Sequence, residues 1–204
     1  MSEEYARAVS ANFEAIAAIA QMFLGLAAAA GVWVAYSQLI ATRRARLVQR
    51  RSQVAEDLIS LAFNAEDALK EIRNPFDSIP KDKASDKVYP YQRRFDRIVK
   101  HNDLFRELRD AQIRVRAVIG DNEVDSAVES LFSARSIVAA AIKTLAEMAN
   151  EDAMGEHDRD FKRRLRSEMS GGFSGHDKVG ETIANAVKTI ESRLSPVARI
   201  EGQF

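Results

Sequence analysis

The sequence predicts an all-α protein: a single N-terminal transmembrane helix followed by an antiparallel helical bundle of about four helices. Three observations predict it. Residues 15–42, a run of 28, carry no formal charge. Beyond Arg43 the apolar residues recur at three- and four-residue spacing, with no strand-like alternation. Three of the four prolines crowd into residues 74–90, which leaves long uninterrupted segments on either side.

The first element is the apolar run. Roughly 20 apolar residues cross the hydrocarbon core as a helix, so residues 13–42 are long enough to be a transmembrane helix. Trp33 and Tyr36 fall near its C-terminal end, where amphipathic rings settle at headgroup level. Arg43, Arg44, Arg46, Arg50 and Arg51 follow at once, and apart from Arg7 every basic residue lies at or after Arg43. The positive-inside rule then places residues 1–12 outside as a short extracytoplasmic tail and residues 43–204 in the cytoplasm. The competing reading is an alanine-rich helix buried in a soluble bundle, but such helices seldom lack a charged face for eight turns. A cleaved signal peptide fits poorly, because its leading region would be acidic and the arginines after the run oppose translocation.

The faces of this helix differ. Gly25, Ala28, Ala29 and Val32 belong to a small-residue stripe, and small residues at four-residue spacing let helices approach closely in lipid. They are the candidate self-association surface. The five arginines are the candidate contacts to anionic lipid, each contributing about 1 kcal/mol near a charged leaflet.

The next helix grows out of the first. Neither Pro nor Gly lies between Val32 and Arg73, which predicts an unbroken helix. Leu47, Val54, Leu58, Leu61, Ala65, Ala68 and Ile72 form a heptad-like, coiled-coil-like seam. Ala55, Ala62 and Leu69 widen it to the broader stripe of a globular bundle. Glu56, Asp57, Glu66, Asp67 and Glu71 flank the stripe and read as solvent-facing. Asn74-Pro75 ends the helix, and residues 74–90 read as a loop.

A second helix is predicted from about Tyr91 to Ile119, with Tyr91, Phe95, Ile98, Phe105, Leu108, Ala111, Val115 and Val118 inward and His101-Asn102 interrupting the pattern. Gly120 suits a C-cap, and Asp121 or Asn122 can cap the next helix. That helix runs to about Ala149 through Val124, Val128, Leu131, Val138, Ile142 and Leu145. Residues 150–175 read as a flexible segment with a short helix around Phe161–Arg166. Ser174 to Asp177 fits a capping box. The last helix buries Val179, Ile183, Val187, Ile190 and Leu194 and ends near Pro196.

Chemistry is sparse. Cysteine is absent, which excludes disulfides and thiolate metal sites. His157-Asp158 and His176-Asp177 share the HD dipeptide of metal-dependent phosphohydrolases, yet both lie in charged or glycine-rich stretches. Residues 170–178 carry glycines without the ending of a phosphate-binding loop. No E-x-x-H pair supports a carboxylate metal site. The arginines of the second helix spread around it among acids at three- and four-residue reach, which favours a self-paired surface over nucleic-acid binding.

The expectation is therefore a non-enzymatic membrane-anchored interaction or scaffold module with no metal or cofactor. It would sit in a bacterial inner membrane as a single-pass protein, N-terminus outside and C-terminus cytoplasmic. Its partners would be the lipid bilayer and a second copy or another protein. Two alternatives from other classes are a membrane-acting effector of a stress or phage-defence system and a metal-dependent hydrolase.

Overall fold

A computed structural model describes residues 2–76, 78–149, 156–171 and 177–199. They are all-α, with no strand among the described residues: α1 (Ser2–Arg73), α2 (Tyr89–Lys100), α3 (Asn102–Val118), α4 (Asn122–Met148), α5 (Glu156–Met169) and α6 (Lys178–Ala198), plus a 3-10 turn at Lys81–Lys83. The chain divides into two compact units, Met1–Val48 and Gln49–Phe204.

The first unit holds only the N-terminal part of α1, as far as Val48. The expected continuity holds, since α1 is a single helix through the Ser37–Thr42 stretch. Ser37 Oγ donates to Val34 O and Thr42 Oγ1 to Gln38 O, both at 2.8 Å. These bonds satisfy the two hydroxyls on the helix itself.

The second unit is the bundle. Ser52 Oγ donates to Ala198 O at 2.7 Å, while Arg73 pairs with Asp177. Residues 49–73 therefore run antiparallel to α6. Arg135 reaches Asn102, Arg109 reaches Glu129, and Arg116 meets Asp125, so α3 and α4 are antiparallel too. Arg193 near the end of α6 meets Asp121 at the start of α4, which sets α4 against α6. These four segments alternate in direction, and α2 and α5 pack against α4. One core joins them, with Leu58, Leu69, Ile72, Leu108, Leu131, Leu145, Ile190 and Leu194 fully buried.

The turns follow local chemistry. Gly120 has φ +74°, the left-handed conformation that only glycine adopts cheaply, and its N–H bonds Val115 O at 3.1 Å. Asp121 then caps α4, accepting from the N–H groups of Glu123 and Val124.

Several expectations need correction. The second predicted helix is two helices. His101 takes φ −96° and ψ 11°, in the sparsely allowed bridge region, so it ends α2 and opens α3. Phe95 is 45% exposed, because Arg94 occupies the inward position four residues before buried Ile98. Leu47 is exposed and belongs to the first unit, and Leu61 is only half-buried. Glu66 is not freely solvated: its side chain is 16% exposed and pairs with Lys70 at 2.9 Å.

Within the segment expected to be flexible, α5 forms a 14-residue helix held by buried Leu165 and Met169. The cap of α6 is Asp177 itself, accepting from Gly180 N, while Ser174 lies outside the described residues. The last helix continues past Pro196 to Ala198, where Val197 and Ala198 pack on the core.

Candidate functional site

The residues proposed from sequence for the membrane lie on open surface. Gly25, Ala28, Ala29 and Val32 are exposed and share one face of α1 at 100° per residue. A Cβ added at Gly25 would meet nothing within 4 Å. Trp33 and Tyr36 are exposed, and so are Arg43, Arg44, Arg46, Arg50 and Arg51. None of these arginines has an ion-pair partner among the described residues. The apolar stretch of α1 that begins at Leu24 is long and apolar enough to cross a membrane, and none of it is buried.

A second cluster, which the sequence did not reveal, lies inside the bundle. Arg73, the last residue of α1, is 5% exposed. Its guanidinium holds Asp177 bidentately, Nη1 to Oδ2 at 3.0 Å and Nη2 to Oδ1 at 2.5 Å, and Nε donates to Glu168 O at 3.3 Å. Gly171 N returns a bond to Arg73 O. Beside it, buried Arg94 donates to Ser170 Oγ at 2.9 Å and to Pro75 O. The end of α1, the end of α5, the start of α6 and one face of α2 thus meet at two guanidinium groups.

Two glycines make room for this junction. A Cβ on Gly180 would lie 2.4 Å from Asp177 Oδ2, and one on Gly171 would lie 3.2 Å from the same oxygen. Burial pushes the Asp177 carboxyl up, but the Arg73 hydrogen bonds and the Gly180 N–H outweigh it, and the group sits below the usual carboxylate range. Nearby, Glu71 takes Lys100 at 2.9 Å and lies 3.0 Å from His101 Nε2. The Lys100 hydrogen bond is the main cause of its lowered pKa, against desolvation and with help from His101.

A third polar group ties α3 to α4. Buried Gln112 donates to Asp125 Oδ1 at 2.8 Å and Glu129 Oε1 at 3.0 Å, and accepts from Arg109 at 2.7 Å. These clusters are closed: each buried polar group is matched by another side chain or a carbonyl, which fixes helix register.

Of the two HD dipeptides, the side chains of His157 and Asp158 and the whole of His176 fall outside what the structure describes. Asp177 is engaged by Arg73 and by the N-terminus of α6. Among the described residues, no group of three or more metal-ligating side chains comes together. A faint sequence signal for the junction existed: Arg73 stands four residues after Leu69 and Arg94 four before Ile98, both in the apolar phase of their helices. Compared with protein-family models, curated proteins and solved structures, the chain matches none.

Proposed function

We propose that this protein is a single-pass, membrane-anchored helical interaction module that holds a cytoplasmic partner at the bacterial inner membrane. The observation that supports it is the surface of the first unit. Met22, Leu24, Leu26, Val32, Trp33, Val34, Tyr36 and Leu39 are all exposed, at angles all round the helix. A helix apolar on every side needs either a protein interior or lipid around it. Among the described residues none of this stretch is buried, so the bilayer is the natural surrounding.

The arginines from 43 to 51 give the orientation: N-terminus outside, bundle in the cytoplasm. The same arginines would touch anionic headgroups, and the face of Gly25, Ala28, Ala29 and Val32 is open to a second copy of the span. An interaction role rather than catalysis is favoured by the engagement of buried Arg73, Arg94 and Gln112 with partners inside the bundle.

Fractionation tests this reading. The full chain is expected to stay with membranes through carbonate and high-salt washes. Release by salt alone would reduce the span to a peripheral helix and overturn the anchor.

A further inference from the structure

A cavity with a volume of about 620 Å³ lies among α4, α5 and α6, beside the polar junction, with which it shares Glu168. That is the scale of small-molecule sites. Its floor is apolar, from Ala134, Ile137 and Val179, and Ile137 is 40% exposed although it belongs to a helix otherwise packed on its neighbours. Its rim carries three cations: Arg163, Arg164 and Lys178.

Two acids share the rim and pair with two of its cations, which leaves the rim with an excess of one positive charge. Asp160 is 3.7 Å from Arg163 and Glu168 is 3.6 Å from Arg164, both beyond hydrogen-bond length. Lys178 has no ion-pair partner among the described residues. It is also the first residue of α6, where the helix macrodipole favours acids over bases, so its charge adds to the positive field. An apolar floor beneath an excess of cations is complementary to one kind of ligand.

From this geometry we infer that the groove among α4, α5 and α6 binds an amphiphilic organic anion, with a phosphate or carboxylate on Arg163, Arg164 and Lys178 and an apolar body on Ile137 and Val179. Guanidinium groups match such anions with paired N–H donors, while the ammonium adds a mobile point charge. The ligand could be supplied as a lipid headgroup with its first methylenes or as a soluble organic phosphate. The inference does not depend on the anchor.

The test uses the full chain in phosphatidylcholine nanodiscs, titrated calorimetrically with hexyl phosphate, inorganic phosphate and hexanol, with empty discs subtracted. Hexyl phosphate should bind saturably and at least about tenfold more tightly than either fragment, because both halves of the site contribute. Arg163→Gln/Arg164→Gln/Lys178→Gln should weaken it by about tenfold or more, as expected for losing charge-assisted hydrogen bonds. Ile137→Ser should weaken hexyl phosphate while leaving inorganic phosphate unchanged. All four positions are exposed, and unchanged thermal melting would show that the variants remain folded. Protection of Lys178 from acetylation in discs containing phosphatidic acid, without added ligand, would support the site and identify lipid as the source. Protection by hexyl phosphate alone would support it with a soluble source. Equal binding by wild type and the triple variant, equal affinity for inorganic phosphate, or no saturable binding would each overturn it.

Discussion

From Met22 to Leu39 the described large apolar side chains of α1, Leu24, Leu26, Val32 and Trp33 among them, are exposed, whereas from Val54 to Ile72 of the same helix Leu58, Leu69 and Ile72 are fully buried. The difference comes from where the charges fall. The earlier stretch has none and is apolar at every angle. The later one sets Glu56, Asp57, Asp67 and Lys70 beside a stripe of Val, Leu, Ile and Ala, so water drives one face inward and solvates the other. Helicity is common to both; only the second contains instructions for packing on protein. A uniformly apolar helix asks for a different solvent.

The sharpest way to break this comparison is to place the same charge in each region. Leu58→Asp buries an unpaired carboxylate in the bundle core, which costs several kcal/mol or forces it to protonate. Thermal melting of the bundle should be lost or greatly lowered while membrane retention persists. Leu26→Asp should do the opposite, costing about 2.5–3.5 kcal/mol of insertion at the centre of a span and leaving bundle melting unchanged. If both variants harmed melting alone, the two regions would share one kind of environment.

Arg73→Ala probes the bundle's own exception, a buried charge. It leaves Asp177 without its guanidinium, and breaking a buried pair in this way costs about 3–5 kcal/mol. Denaturant unfolding would measure it. A loss below about 1 kcal/mol would rank the pair with surface ion pairs.

Acid sensitivity follows from the same pair. Because the folded pKa of Asp177 is lowered, its stabilisation is complete above the unfolded carboxylate value of about 3.9. It is lost as pH falls through the lower folded value. Wild type should therefore exceed Asp177→Asn in melting temperature at neutral pH, and the gap should narrow below about pH 4. A gap that widened on acidification would reverse the assigned sign. At the small end, exposed Leu47→Ser should change bundle stability by no more than about 0.5 kcal/mol.

Much of the fold was legible because periodicity reports burial. The inward residues of α4 and α6 chosen from spacing, Val128, Leu131, Ile142, Ile183, Ile190 and Leu194 among them, are all buried. Spacing fails where a long polar side chain takes an inward position. Arg94 displaced Phe95, and a pattern search that counts only apolar residues cannot see that. The break at His101 depends on one backbone conformation, and the Arg73–Asp177 junction joins residues 104 apart in sequence. The first leaves no local signature, and the second only the apolar phase in which Arg73 stands. The groove of α5 was half visible: its arginines were evident, but the apolar floor comes from α4 and α6.

The absence of cysteine makes the most direct measurement straightforward. Single cysteines at Met22, Leu26, Trp33, Leu47 and Phe63 of the full chain, labelled in intact membranes with a membrane-impermeant maleimide, would map the solvent of each region. The account predicts that positions 22, 26 and 33 resist labelling even after permeabilisation, while 47 and 63 label once the cytoplasmic side is opened. Labelling of 22, 26 and 33 as readily as 47 and 63 would contradict the membrane span.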